Sequence, residues 1–212
     1  MIFDFDGTIG DTEPFYAKNF EETMREFGVV CDEEDKISFI GFGPYDKVKI
    51  LEKKYGITVD ADAVAVSFRR KNVERFPQDA SCLLFADVLP CLQACRERGL
   101  KLYICSNTDS EKVSRMISQM GIAGYFDGVS GKDLCKAKKP SPVPYLYILE
   151  KYGYDKKEAL VVEDSVGGVK SAKDAGLLTV GLERVEGLHL EGVDVHIASL
   201  DELSDLLDGS LI

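Results

Sequence analysis

Residues 1–14 read MIFDFDGTIGDTEP, and the fold turns on how this stretch is interpreted. Met1 to Phe5 is an apolar run rich in Ile and Phe, stopped by Gly7 and Thr8, which is the pattern of a covered strand. It closes on two carboxylates, Asp4 and Asp6, with one phenylalanine between them. Side chains alternate faces along a strand, so a strand running through to residue 6 aims both acids the same way. Like charges that close repel, and each resists ionising unless a cation or hydrogen-bond donors compensate. A bound cation is the simplest compensation, and an ordinary Asp/Gly turn is the competing reading. An EF-hand calcium loop does not fit, because its glycine and bidentate glutamate positions, counted from Asp4, hold Ile9 and Phe15.

Outward from this strand the chain changes character twice. Residues 13 to 76 are helical in pattern: EPFYAKNFEETMREFG spaces Phe15, Phe20, Met24 and Phe27 near a helical repeat and ends in Gly28, and PYDKVKILEKKYG and DADAVAVSFRRKNVERF follow. After Pro77, strands and helices alternate. KLYICSN, YFDGVSG, ALVVEDS and LLTVGL read as strands, and DVLPCLQACRERG, DSEKVSRMISQMG, SPVPYLYILEKYG and SVGGVKSAKDAG read as helices. Such alternation implies a parallel sheet with helices on both faces. The helical block therefore interrupts an α/β domain after its first strand. In open α/β sheets ligands sit beyond the carboxyl ends of the strands, and here those ends carry Asp4 and Asp6, then CSN at 105–107, then Glu163, Asp164 and Ser165. Polar groups from three strands converge on one edge, which weakens the turn reading.

Composition bounds what such an edge can serve. At 212 residues the chain can bury a substantial core, and 45% hydrophobic with 30% charged residues is a soluble globular balance. No apolar run approaches a membrane span and no basic region precedes a hydrophobic start, so a cytoplasmic location is expected. The six cysteines lack paired zinc spacing, and reduced thiols are expected. A net charge of −11 argues against nucleic-acid binding through phosphate neutralisation, but leaves room for a small phosphorylated substrate held by a metal and local cations.

DFDGT, CSN, KKP at Lys138 to Pro140 and VVEDS followed by GG, in that order, resemble the four motifs of the haloacid dehalogenase superfamily, in particular its members with a helical cap. The resemblance spans essentially the whole chain. It implies a Rossmann-like α/β core, residues 1–12 and 78–212, with an inserted α-helical cap at 13–77. It casts Asp4 as nucleophile and Asp6 as general acid and then base, oriented by Thr8. Ser106 and Asn107, with Thr8 and Lys139, are the implied phosphate-binding set. Lys139 neutralises developing charge, its place before Pro140 favouring it over Lys138. Mg2+ is implied on the Asp4 and Asp164 carboxylates and the Asp6 carbonyl, with Glu163 supporting or ligating.

The expected function is thus a Mg2+-dependent phosphatase for a small phosphorylated metabolite, a sugar phosphate or similar monoester, working through an aspartyl-phosphate. The expected partner is that metabolite, with no nucleic acid and no membrane, and the chain is expected to be a monomer or weak homodimer. A phosphosugar mutase similar to β-phosphoglucomutase is the alternative. Its cap supplies an arginine shortly after a glycine, whereas GFGPYDKVKI has Pro44, Tyr45 and Lys47 and no arginine. A phosphometabolite sensor without turnover is a third reading, opposed by the intact Asp4 and Asp6 pair. Substrate choice is expected in the cap, where Glu13, Tyr16, Tyr45, Lys47, Arg69 and Lys71 are candidates and a solvated helix face is the bland explanation. No G-x-G-x-x-G follows the first strand, GVSGKD lacks phosphate-loop spacing, and neither His189 nor His196 lies near a G-x-S-x-G nucleophile.

Overall fold

The computed structural model describes residues 1–185 and 187–208. It divides into two compact units, Met1–Asp11 together with the chain from Asp79 onward, and Thr12–Gln78. The first unit opens with β1 (Ile2–Phe3). The opening run suggested a strand as long as residues 1–6, but pairing stops at Phe3. Gly7, at φ +88°, turns the chain so that its N–H donates to the Gly10 carbonyl at 2.8 Å, and Asp6 makes only an isolated bridge with Gly10. Asp4 and Asp6 are therefore presented by a turn rather than by one face of a strand.

The Thr12–Gln78 unit is all helical: α1 (Glu13–Glu26), α2 (Glu33–Ser38), α3 (Pro44–Tyr55) and α4 (Ala61–Arg75). Prolines in the first turn start α1 and α3, where a missing N–H costs nothing. Asp32 and Asp60 cap α2 and α4 through side-chain bonds to Asp35 and Ala63 N–H groups. The unit has its own core, in which Phe20 meets Phe39 and Phe68 edge-on at 5.2 and 5.5 Å, with Met24, Val48 and Leu51 beside them. Burying each such side chain contributes about 1.5–3 kcal/mol.

The first unit then continues through α5 (Val88–Glu97), β2 (Tyr103–Cys105), α6 (Ser110–Gln119), β3 (Gly128–Ser130), α7 (Val143–Tyr152), β4 (Leu160–Glu163), α8 (Val166–Asp174), β5 (Leu178–Leu182), β6 (Val195–Ile197) and α9 (Leu200–Asp208). The six strands form one parallel sheet in the order β3-β2-β1-β4-β5-β6. Ile2, Tyr103, Cys105 and Val161 face α7 and α8, where Tyr145, Ile148 and Ala172 cover them. The alternate residues Phe3, Ile104 and Val162 are equally buried, so both faces are covered, as a parallel sheet requires. Although first in sequence, β1 lies between β2 and β4. The chain winds outward from it in both directions, and the crevice at that reversal is where such sheets hold ligands.

Candidate active site

Four segments meet beyond the carboxyl ends of β1, β2 and β4. Asp4 follows β1 and is fixed by its N–H to the Val162 carbonyl at 2.9 Å. Ser106 and Asn107 follow β2, Glu163 ends β4 and Asp164 comes next. The fourth contribution is Lys139, from the loop before α7. Its ammonium donates to Asp4 Oδ1 at 2.6 Å, to the Cys105 carbonyl at 2.7 Å, and to Glu163 Oε1. All three of its hydrogens are therefore placed. Lys139 is buried and Lys138 exposed.

Glu163 is engaged on both oxygens. Tyr145 donates to Oε1 beside Lys139, and Ser165 Oγ donates to Oε2 at 3.3 Å. Close approach of α8 makes this possible, since a Cβ at Gly168 would stand 1.9 Å from Glu163 Oε2. The same holds at Gly7, where a Cβ would stand 2.1 Å from Asp164 Oδ2. The turn after Asp6 thus needs glycine twice, for its positive φ and for the space the Asp164 carboxylate occupies.

The hydroxyls do not fall as the sequence suggested. Thr8 was expected to orient Asp6, but Thr8 Oγ1 donates to Asp164 Oδ1 at 2.9 Å. Asp6 Oδ2 receives Thr108 Oγ1 at 2.8 Å and Ser106 Oγ at 3.3 Å. Ser106 Oγ in turn accepts the Thr108 N–H at 2.9 Å. The Asn107 amide was expected on phosphoryl oxygens. Instead it brackets the Lys139 backbone, accepting its N–H at 3.0 Å and donating to its carbonyl at 3.2 Å. Thr108, Tyr145 and the bracketing role of Asn107 were missed. Only the T after CSN offered a signal, because a hydroxyl in the loop after β2 lies on the ligand edge.

Asp4, Glu163 and Asp164 offer carboxylate oxygens within 4.8 Å of one another, all buried. One ammonium serves the cluster, bonded to two of its three acids. Burial pushes the Asp4 carboxyl well up, with Lys139 opposing and Glu163 and Asp6 adding to the rise. Burial works against the Lys139 ammonium, but Asp4 and Glu163 outweigh it and raise its pKa. The cluster is short of positive charge. An all-oxygen donor set, with Gly7 leaving the space that Asp164 fills, fits a hard divalent cation.

Of the cap candidates, Lys71 is committed to Glu26 Oε1 at 2.7 Å and Ser67 Oγ at 3.0 Å, and Tyr45 donates to Asp62 at 3.0 Å. Lys47 is buried against the Phe20 and Phe39 rings at 5.4 and 5.7 Å. Arg69 is exposed, and Glu13 and Tyr16 lie half-buried on α1.

A sheet of this order, with an ammonium-held aspartate beyond its first strand and a helical unit inserted after it, defines a class of hydrolases. Comparison with known proteins gives the same class: the family model of haloacid dehalogenase-like hydrolases matches residues 1–182, and the chain belongs to that family. It is an enzyme of the family's phosphatase type, and the family implies a divalent metal. Among its relatives is a phosphoglycolate phosphatase of Shigella boydii, 30% identical, covering 96% of this chain and 90% of that one. Another phosphoglycolate phosphatase, of Aquifex aeolicus, is 28% identical over 100% of this chain and 98% of its own length. The crystal structure of a β-phosphoglucomutase from Clostridium difficile superposes with a TM-score of 0.77 at 20% identity, covering 95% of this chain and 91% of that chain, which shows the shared fold.

Proposed function

We propose that the protein is a Mg2+-dependent phosphatase that hydrolyses a small phosphate monoester, a sugar phosphate or similar metabolite, through an aspartyl-phosphate on Asp4. The observation that carries this reading is a pair of carboxylates held for different tasks: Asp4 on the buried Lys139 ammonium, and Asp6 on two hydroxyls after β2. Binding alone needs no second acid so placed. The phosphoglycolate phosphatases at 28% and 30% identity support a small monoester.

In this reading an Asp4 oxygen attacks phosphorus, and the bond to the substrate's alcohol oxygen breaks as the Asp4–phosphorus bond forms. The Asp6 carboxyl gives its proton to the departing oxygen and ends the step as a carboxylate. It then takes a proton from water, whose oxygen attacks phosphorus; the Asp4–phosphorus bond breaks, inorganic phosphate leaves and both acids return to their starting states. Lys139 holds Asp4 in line and adds positive charge beside it, and Glu163 with Tyr145 and Asn107 holds Lys139. Mg2+, on the Asp4 and Asp164 carboxylates and the Asp6 carbonyl with Glu163 in support, would offset the repulsion between Asp4 and an anionic substrate. Thr8 keeps Asp164 in place for it. Uncatalysed hydrolysis of phosphate monoesters is slow enough to need up to ~21 decades of acceleration, so alignment and charge are both required.

The test is inorganic phosphate release from 2-phosphoglycolate, sugar phosphates and nucleotides, with Mg2+ and with chelator. Metal-dependent release from a narrow set is expected, and Asp4→Asn should lower it by about 10³-fold or more while keeping the wild-type melting transition. Unchanged turnover in that variant would remove Asp4 as nucleophile. Transfer between sugar hydroxyls without release would favour the mutase.

A further inference from the structure

Away from the catalytic edge, both histidines of the chain meet at one carboxylate. Glu183 directly follows β5, His196 is the middle residue of β6, and His189 lies in the connection between these strands. Glu183 Oε1 stands 3.2 Å from His189 Nδ1 and 2.9 Å from His196 Nδ1. The rings stack with centroids 5.0 Å apart and planes within 6°. Backbone bonds fix the arrangement: the Glu183 N–H donates to the Ile197 carbonyl at 2.8 Å, and the Leu190 N–H donates to Glu183 Oε1 at 2.7 Å. One carboxylate oxygen thus accepts the Leu190 N–H and faces both histidine Nδ1 atoms.

We propose that Glu183, His189 and His196 bind a transition-metal ion of the zinc class, at a site separate from the Asp4, Glu163 and Asp164 cluster. The three residues offer ligand atoms within 4.8 Å of one another. In a tetrahedral zinc site with bonds of 2.0–2.1 Å, neighbouring donors lie about 3.3 Å apart, and the 2.9 and 3.2 Å separations at Glu183 are near that edge. Two imidazoles and a carboxylate select zinc, cobalt, nickel or copper, whereas the all-oxygen cluster at the other site selects magnesium. The histidine side chains are 71% and 44% exposed, so a hydrated ion reaches them and water completes the shell. Binding places the ion on each Nδ1 and leaves the ring hydrogen on Nε2, a change of tautomer that releases no net proton from a neutral imidazole. Leu190 supports the carboxylate from behind, as outer partners of metal ligands do.

The ion would tie the residue after β5 to β6 and to the intervening connection. Glu183 is followed by Arg184, which donates to both Asp87 oxygens at 2.8 Å and to the Thr8 carbonyl at 3.2 Å. An ion at Glu183 therefore sits one residue from a contact with the turn that carries Asp6 and Thr8.

Co2+ serves as the probe, titrated into the metal-stripped protein with Mg2+ in large excess to occupy the carboxylate cluster. One Co2+ per chain is expected, with the intense visible bands of tetrahedral imidazole ligation, removed by Zn2+. His189→Ala and His196→Ala should each weaken Co2+ by at least about tenfold while retaining wild-type Mg2+-dependent phosphate release, which shows the fold and the catalytic edge intact. No visible band in the wild type, or an undiminished band in the double histidine variant, would overturn the site. So would a band lost in Asp4→Asn but kept in both histidine variants.

Discussion

Thr8 and Thr108 are a hundred residues apart in sequence, and each holds a different aspartate. Thr8 donates to Asp164 and Thr108 to Asp6. Removing each hydroxyl should have a distinct effect. Thr8→Val should raise the Mg2+ concentration needed for half-maximal activity by about 10–100-fold, as loss of an outer partner to a metal ligand does, with kcat at saturating Mg2+ much less affected. Thr108→Val should lower kcat by a similar factor and leave the Mg2+ requirement near wild type, because Asp6 loses its aim. Steady-state rates across a Mg2+ titration separate the two, and the same profile for both variants would contradict the assignment. The acids themselves were legible in DFDGT and VVEDS, because carboxylates at the end of an apolar strand are costly and stand out. Their partners were not: a threonine three residues past a strand, or a tyrosine on the first turns of a helix, looks ordinary until tertiary packing brings it to an acid.

At the scale of elements, the approach of α8 to β4 is set by Gly168, where any side chain would overlap Glu163. Gly168→Ala should displace that carboxylate and with it the grip on Lys139, costing about 1–3 kcal/mol from overpacking together with most of the turnover. At Gly167 a Cβ would meet nothing within 4 Å, and this position should accept alanine with little change. Urea unfolding and phosphate release on the pair of variants check this, and equal tolerance at both positions would count against the close approach. The central strands and their helices could be read from alternating apolar runs, three of the strands anchored by motifs. Among the elements that escaped, two were short or weakly patterned. β6 is three residues with a histidine in the middle, and α2 is a six-residue helix whose only cue was the Asp32–Asp35 capping box. β1 was overestimated because Phe5 continues the apolar run while Gly7 bends the backbone beneath it.

Across the molecule, Asp87 ties three elements of the first unit together. It accepts both Arg184 bonds from the end of β5, and Ser199 Oγ at 3.0 Å and the Leu200 N–H at 2.9 Å at the start of α9, while standing at the start of α5. Burial alone would raise its pKa, but Arg184, Leu200 and Ser199 prevail and hold it below the ordinary value. A depressed folded pKa means stability that is full above the unfolded value, near ~3.9, and lost as pH falls through the lower folded value. Asp87→Asn should cost about 1.5–3 kcal/mol at neutral pH, the scale of a hydrogen bond to a charged group. The gap from wild type should close below about pH 4, and melting curves from pH 7 to pH 3 would show it; a gap constant over that range would mean Asp87 contributes no charge-dependent stability. Among the described residues no helix is long and apolar enough to cross a membrane.

The central place of β1 also has a bearing on how the chain is made. Its sheet partners are residues 103–104 on one side and 161–162 on the other, so β1, made before the other five strands, must wait for the last of them. At translation rates of about 5–20 residues per second that wait is roughly 8–30 s. During it the helices of residues 13–75, whose contacts are local and whose core is their own, can fold in microseconds to milliseconds. Asp4 is made well ahead of Lys139, Glu163 and Asp164, and acquires them only once the chain has been made through β4. Until then the nascent chain carries a folded helical unit and an apolar β1 segment with no sheet to join.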